Sequence, residues 1–433
     1  MRNDVESNAK QVQLVESLNA RTSEERLASL KELMTLYESG ELERPISGDN
    51  VNNHIHTTYS FSPYSPTMAV YKAWQSGLAT AGIMDHDSVG GFREFIEAGR
   101  IVGIAVTVGF EFRCDFSETP FVGKRTNNPD QNSVAYLAMH GIPHDKIEET
   151  EAFLKPYREK RHARNRLMTD KLNQHTQIAE LFLDFDKDVS PLSEVDDGGV
   201  ITERHILFAL AGKIMEKVEP GPAIVQFLKE NFNIQASGSI LEKLNNPNEQ
   251  WYRYYLLGLL KSSLVEAFYI DATDELPSYK DFVKLGENTG AIPAYPYLGD
   301  VGDSVTGDKR AQAFEDAYLD ELIPFLKSEG FKAVCYMPTR NTKKQLKRIK
   351  ELCEKYQLFQ ICGEDINSPF QSFVCQALED PEYKHLVTAA WALIGHENSK
   401  EGMFKKGAPW EKLPMSERVE YFANIGRNLK NEN

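Results

Sequence analysis

Apolar residues follow two different spacings along this chain, and the change of spacing divides it into segments. Residues 5–40 carry leucines three and four positions apart, the spacing of an amphipathic helix, and Glu43-Arg44-Pro45 interrupts it. From about 50 to 140, short apolar runs alternate with helical stretches, and this pattern returns after 277. The residues between are dense in charge and show no strand alternation. The pattern predicts an α/β fold interrupted by a helical insert.

The same changes in the spacing of apolar residues predict the segment boundaries. Alternation of strands and helices with short connections is typical of parallel strands joined by crossover helices, so an α/β barrel with one long insert is the simplest architecture. We predict an N-terminal helical extension over 1–48, a first barrel part over 49–145, a mostly helical insert over 146–276, a second barrel part over 277–372 and a C-terminal helical extension over 373–433.

Charge and composition narrow the classes of partner. The formal net charge of −15 disfavours duplex nucleic acid and an anionic membrane as partners, but a local basic pocket can still bind a small phosphorylated molecule. The first residues lack the apolar core of a signal peptide, and no stretch has the apolar length of a membrane span. The five cysteines form no CxxC pair, which is typical of reduced thiols. We therefore expect a cytoplasmic protein, and its oligomeric state stays open.

Four predicted strands end in histidine or carboxylate side chains. Since side chains alternate along a strand, two histidines separated by one residue point to the same face and can hold one metal. A single acid after a strand is more often a helix cap, but four such ends favour a site at the carboxyl ends of the strands. These strand ends are His54-Ile-His56, Asp85-His-Asp87, Glu111 and Gly363-Glu-Asp365.

Together, the block His54-Ile-His-Thr-Thr-Tyr-Ser60 and the later Asp85-His-Asp-Ser88 resemble motifs of the PHP superfamily, named for polymerase and histidinol phosphatase domains. The similarity is greatest to the small-nucleotide phosphoesterases with a helical insert, and it covers roughly 50–370. It implies a distorted seven-stranded (β/α) barrel with up to three divalent metals at the carboxyl ends of the strands. The family ligands fall on His54, His56, His86, Glu111 and Asp365.

Other family ligands are replaced. Phe61 stands where an acid follows the first block, Tyr295 where the strand otherwise ends Ala-His-Pro, and Asn367 where the last motif has histidine. A further histidine expected near Ala135 is absent unless His140 replaces it by a register shift. Because tyrosine and asparagine are poor ligands for a divalent ion, three metals are not expected. The resemblance leaves one complete set for a single zinc, manganese or iron ion: His54, His56, Glu111 and Asp365.

Residues near the lost metal positions are candidates for catalysis and substrate binding. The resemblance implies that His86, Tyr295 and Asn367 lie there and supply hydrogen bonds or a proton. Arg204 and His205 stand at a predicted helix start, where free amides favour an anion, and Arg340 is a third candidate.

A second run of cations lies on a predicted helix of the insert. Lys155, Arg158, Arg161 and Arg164 recur every three residues and could contact a phosphate. Such a run is more often a solvated helix face, and we interpret most of its members in that way.

These observations favour a metal-dependent hydrolase of PHP type, a phosphoesterase acting on a small phosphorylated metabolite or nucleotide. Two alternatives stay open. The first is a catalytically degenerate PHP-fold protein that binds a ligand or regulates another process. The second is a one-metal hydrolase of a non-phosphate bond, such as an amide or a lactone.

Overall fold

The computed structural model describes residues 2–301 and 312–432. Seven strands form one sheet in chain order. A bridge between Ile55 and Ile366 joins the end of the first strand to the segment that follows the last, so the sheet is a nearly closed barrel. The α/β barrel prediction is confirmed. The strands are β1 (Val51–Ile55), β2 (Thr80–His86), β3 (Ala105–Asp115), β4 (Val134–His140), β5 (Ile292–Pro296), β6 (Ala333–Tyr336) and β7 (Phe359–Cys362).

Strand β4 is antiparallel to both of its neighbours, whereas the other neighbouring pairs are parallel. The loop over 116–133 joins β3 to β4 without a crossover helix, and such a connection returns the chain in the opposite direction. The spacing of apolar residues does not reveal this reversal. Because of the reversal, β4 begins at the site end of the barrel, where Val134 pairs with Asp115, and runs away from that end.

Helices surround the barrel and extend it at both ends of the chain. In the described part of the chain, no helix combines the length and the apolar character needed to cross a bilayer. The helices are α1 (Arg2–Ser17), α2 (Ser23–Glu38), α3 (Pro66–Gln75), α4 (Phe92–Val102), α5 (Ile147–His175), α6 (Glu203–Lys217), α7 (Pro222–Phe232), α8 (Gly238–Asn245), α9 (Tyr252–Phe268), α10 (Tyr279–Thr289), α11 (Leu319–Ser328), α12 (Lys343–Lys355), α13 (Lys384–Glu397) and α14 (Met415–Glu432).

The barrel and the insert have separate hydrophobic clusters. The barrel cluster also includes apolar residues of α1, α2, α13 and α14, so both terminal extensions pack onto the barrel. The insert cluster is built from α5 to α9, and Phe61 of the barrel joins it. Each region therefore buries its own apolar surface, which is the main favourable contribution to folding.

Buried ion pairs attach helix α5 of the insert to the barrel. Arg161 donates to Asp87 over 2.6 Å, and Arg164 donates to Glu275 over 2.7 Å, while Arg113 of β3 pairs with the same Glu275. Our prediction of a solvated face is wrong for these arginines, because α5 turns them toward carboxylates of the barrel side. Removing one partner of such a pair would leave a buried charge uncompensated.

The C-terminal extension covers the end of the barrel opposite to the carboxyl ends of its parallel strands. The buried carboxylate of Glu397, in α13, accepts hydrogen bonds from the Thr107 hydroxyl and the Val108 amide at the start of β3. Helices α13 and α14 approach each other closely at glycine. A Cβ atom at Gly395 would lie 1.9 Å from the Phe422 carbonyl oxygen, so a side chain there would separate the two helices.

Candidate metal centre

Two imidazoles and one carboxylate meet at the carboxyl ends of the barrel strands. His54, His56 and Glu111 each bring a ligand atom within 4.8 Å of the others. Nε2 of His54 is 3.1 Å from Oε1 of Glu111, yet this buried nitrogen has no hydrogen-bond partner among the described residues. Buried polar atoms are rarely left without a partner. Imidazole and carboxylate are ligands of zinc, manganese and iron, so the three side chains fit a divalent cation.

Sheet geometry brings the three side chains together. His54 and His56 lie two residues apart at the end of β1, and Glu111 pairs in register with His86 of β2. Gly363 follows β7. Because it has no side chain, the end of β7 can lie directly against β1. A Cβ atom at Gly363 would come 2.5 Å from the Cβ of His54, so any other residue would displace the first ligand.

Asp365, the fourth predicted ligand, adjoins this group. Its Oδ1 lies 3.2 Å from Nε2 of His56, but it falls outside the set whose atoms all lie within 4.8 Å. Burial by itself raises the pKa of Asp365, but the hydrogen bond from His56 and the nearby His54 and Arg204 hold it well below its usual range. An ionised carboxylate beside His56 can complete a four-ligand site with a small movement.

The carboxylates around His54 favour a positive charge at its imidazole. Burial lowers the pKa of His54, but the carboxylates of Glu111 and Asp365 outweigh burial and raise it to about 9. A proton on this imidazole occupies the position that a metal cation would take. Binding of a metal there would displace the proton.

The buried Asp85 orients His56 through a hydrogen bond with Ser60. Its carboxylate accepts hydrogen bonds from the Thr57 amide over 2.7 Å, from the Thr57 hydroxyl and from the Ser60 hydroxyl over 2.6 Å. Oγ of Ser60 in turn lies 3.2 Å from Nδ1 of His56. With the Ser60 proton directed to Asp85, Nδ1 donates to Ser60, and a metal would replace the Nε2 proton that faces Asp365.

His86 lies on the other side of Glu111. Its ring centroid is 4.8 Å from that of His56, and its Nδ1, buried and without a hydrogen-bond partner among the described residues, is 3.4 Å from Oε2 of Glu111. Burial, together with the nearby His56 and Arg161, holds the pKa of His86 well below its usual range. The imidazole is therefore neutral and a weak base, and it can take part in hydrogen bonds within the cavity.

The insert supplies the cationic wall of the same cavity, which has a volume of about 150 Å³. Arg161 of α5, Arg204 of α6 and Lys261 of α9 line it. Arg161 is held by Asp87, and its buried Nε has no hydrogen-bond partner among the described residues. Glu203 lies 3.7 Å from Lys261 and fixes that ammonium group.

Asp87 is itself held in an unusual conformation. Its φ of 51° lies in the left-handed region, which is uncommon for a residue other than glycine. The Asp87 amide donates to the Glu111 carbonyl over 2.9 Å, and its carbonyl accepts from Arg158 over 3.1 Å. The turn after His86 is thus fixed from both the barrel and the insert, and strain of this kind is concentrated at functional sites.

Asn367 connects the barrel wall, which carries the candidate ligands, to the cationic wall supplied by the insert. Its Nδ2 donates to Asp365 over 2.8 Å, and its Oδ1 accepts from Arg204 over 3.2 Å. The predicted residues Asn367, His86 and Arg204 therefore line one cavity with the candidate ligands.

Three other predicted residues are not brought to the cavity wall. Tyr295 is fully buried beside Glu315 and Tyr318, and the next residue along β5, Pro296, lines the cavity instead. His205 is buried as a helix cap, with its Nδ1 accepting the Thr202 amide proton over 3.0 Å. Strand alternation and helix capping, respectively, explain these two placements. The third residue outside the lining is Arg340.

Of the other lining residues, Lys261 was not predicted, whereas Arg161 and His140 were open alternatives in the sequence. The packing of α5 and α9 brings Arg161 and Lys261 to the strand ends. His140 lines the cavity, its buried Nε2 has no hydrogen-bond partner among the described residues, and burial together with His54 lowers its pKa to about 3. Ala138 pairs with Glu111, and because side chains alternate along β4, His140 shares that inner face while Ala135 points to the other one.

Comparison with known proteins gives similarity at the level of structure. No family model matches the sequence, and no curated protein matches it. A solved structure from Bifidobacterium adolescentis, of a protein proposed to be a metal-dependent phosphoesterase, is similar with a TM-score of 0.49 and 17% identity, over 78% of this chain and 96% of that one. An amidohydrolase from Chromobacterium violaceum, solved with sulfate and no metal, gives a TM-score of 0.49 and 17% identity over 76% and 90%.

Proposed function

We propose that this protein is a metal-dependent phosphoesterase that hydrolyses a small phosphorylated metabolite or nucleotide, with one zinc, manganese or iron ion per chain. One observation carries the proposal. A group that fits a cation and a wall that carries three cationic side chains face the same cavity. A phosphoryl group needs both, since its oxygens bind a metal and also accept bidentate bonds from guanidinium groups.

His54, His56 and Glu111 would hold the metal, with Asp365 as the fourth ligand. A divalent metal there would act as a Lewis acid toward a phosphoryl oxygen. His86 lies beside this group, with its Nδ1 3.4 Å from Oε2 of Glu111, and its neutral imidazole would supply a hydrogen bond within the cavity.

The insert would bind the remaining oxygens of the phosphoryl group. Arg161 and Arg204 present guanidinium groups to the cavity, which can form bidentate bonds to phosphoryl oxygens. Asn367 positions both walls through its bonds to Asp365 and Arg204. The negative carboxylate of Glu203, held by Lys261, disfavours a second large anion at that edge.

Elemental analysis and a substrate panel test the proposal. Protein purified without added metal is analysed for zinc, manganese and iron, and then assayed with phosphomonoesters, phosphodiesters, amides and lactones. We expect close to one equivalent of metal and turnover of at least one phosphoester. The double variant His54→Ala/His56→Ala should lose both, while His175→Ala, at an exposed histidine at the end of α5, should retain both.

Three other results would each contradict a different part of the proposal. Close to three equivalents of metal would overturn the one-metal assignment. Turnover of amides or lactones alone would replace phosphoester hydrolysis by hydrolysis of another bond. Ligand-induced thermal stabilisation without turnover of any substrate would favour a binding or regulatory protein.

A further inference from the structure

A second concentration of cations lies at the opposite end of the barrel. It surrounds a groove of about 640 Å³ between α11, the starts of β6 and β7, and the segment that leads into α14. We call it the basal groove, and its cationic residues are Lys327, Lys332, Lys406, Lys412 and Arg418. It is separate from the candidate metal centre, because it lies at the amino ends of the parallel strands whose carboxyl ends hold the ligands.

Most of these cations form no ion pair, although Glu287 lies near Lys332 and Glu411 lies near Arg418. Lys406 lies 3.6 Å from Glu287, but Lys327, Lys332, Lys412 and Arg418 form no ion pair with a carboxylate of the described residues. Glu411 is the acid in the lining of the groove, and its carboxylate accepts a bond from the Gly407 amide. On a chain with a net charge of −15, five cations around one groove with one lining acid are an unusual local excess.

Two of the cations are fixed by neutral carbonyl groups. Lys327 donates to the Gln357 carbonyl over 3.0 Å. Arg418 donates to the Leu413 carbonyl over 3.2 Å and to the Glu411 carbonyl, while its buried Nε has no hydrogen-bond partner among the described residues. These bonds orient the groups without neutralising them. Burial and the neighbouring cations lower the pKa of Lys327 and of Lys332, which agrees with a cluster of mutually repelling charges.

We propose that the basal groove binds a small anion that carries two or more linked phosphate groups. The cations come from two separate stretches of the chain, 327–332 and 406–418, and line different sides of the groove. A single phosphate would therefore reach few of them, whereas linked phosphates can contact several at once. The groove has the volume of a small-molecule site. An extended polyanion such as duplex nucleic acid would run beyond the groove onto a surface with net negative charge, where it would be repelled.

Calorimetric titration with inorganic pyrophosphate and with inorganic phosphate tests the proposal. The full chain is used both as purified and after metal removal, because pyrophosphate can also bind the metal. We expect one pyrophosphate per metal-free chain at the groove, at least about tenfold tighter than phosphate. The variant Lys332→Gln/Lys412→Gln should weaken this binding at least about tenfold, since two contacts to phosphate are lost.

Matched variants separate the groove from general charge and from the metal centre. Lys229→Gln/Lys284→Gln removes the same charge at two exposed lysines elsewhere and should leave the affinity unchanged. Arg204→Gln, in the wall of the metal centre, should also leave the groove affinity unchanged. Arg418→Gln provides a second test within the groove. Equal affinity in wild type and both groove variants, or an equal loss in the Lys229/Lys284 variant, would overturn the proposal.

Discussion

The two walls of the cavity differ in their charge and in how the fold builds them. The barrel wall consists of imidazoles and carboxylates at strand ends, where register and alternation fix each side chain. The insert wall consists of guanidinium and ammonium groups on helices that belong to a separate hydrophobic cluster. If the proposed function holds, the barrel wall binds the cation and the cations of the insert wall bind the anion, so metal binding and substrate binding can be changed independently.

A direct ion pair between the two walls would weaken both the proposed metal binding and the proposed substrate binding. The carboxylate of Asp365 and the guanidinium of Arg204 each bond to the neutral Asn367, which lies between them. Arg161 is likewise held by Asp87, which does not line the cavity. An ion pair across the cavity would use the charges that a metal and a phosphate need, and the neutral amide provides a connection without such a pair.

The largest expected effect comes from the barrel wall. Glu111→Gln removes the carboxylate between His54 and His86, so the bound metal should be lost and kcat/KM should fall at least about 10³-fold, as loss of several kcal/mol of charge stabilisation requires. Elemental analysis and steady-state kinetics measure both. Glu364→Gln, at a carboxylate that does not line the cavity, is the control. Retention of a full equivalent of metal in Glu111→Gln would remove this residue from the ligand set.

The insert wall should give a smaller effect of a different kind. Arg204→Ala should lower kcat/KM about 10- to 100-fold, mainly through a higher KM, because one charge-assisted bond to the substrate is lost. Its metal content should equal that of wild type. Arg93→Ala, at an exposed arginine paired with Glu148, controls for the change of charge. A loss of metal in Arg204→Ala would show that the two walls are not independent.

A third variant tests the support of the barrel wall. Asp85→Asn keeps the size of the side chain but replaces one acceptor oxygen by a donor that faces Thr57 or Ser60. Metal affinity should weaken about 10- to 100-fold, since the orientation of His56 depends on this contact. Competition with a coloured chelator gives the affinity, and Asp320→Asn, at an exposed carboxylate, is the control. Unchanged affinity would limit Asp85 to a structural role.

The last prediction concerns the pH dependence of stability in the insert, at a residue outside the cavity wall. Burial lowers the pKa of His205 to about 3, although Glu203 opposes it, so the folded state keeps this imidazole neutral while the unfolded chain takes up a proton below about 6.5. The stability due to the neutral form is complete above pH 6.5 and is lost as the pH falls toward 3, by about 1.4 kcal/mol per pH unit.

Urea unfolding of wild type and His205→Gln at pH 7.5, 6, 5 and 4.5 measures this contribution. The slopes should differ below pH 6.5, with wild type losing stability faster, even though the variant starts lower through loss of the helix cap. Parallel slopes would show that His205 does not titrate on unfolding.

Prediction from the sequence succeeded where the signal was local. The strand ends with His54, His56, Glu111 and Asp365 are recognisable because an apolar run stops at a polar group, and parallel strands bring such ends together. It failed for the arginines of α5, since a helix with arginine every third residue has the same sequence whether that face meets water or buried carboxylates. The placement of Tyr295 was missed because one step along a strand reverses the side of every residue.

Spacing within a few residues was thus enough to predict the barrel and the helical insert, and the resemblance to known motifs was enough to nominate the candidate cation-binding side chains. Only the tertiary structure decided which charges face one another. Residues far apart in the chain meet in both places. Arg161, Arg204 and Lys261 lie beside the strand ends, and Lys327 and Lys332 lie beside Arg418 in the basal groove. Such meetings depend on how separately folded surfaces pack, and packing is not encoded in any local pattern of residues.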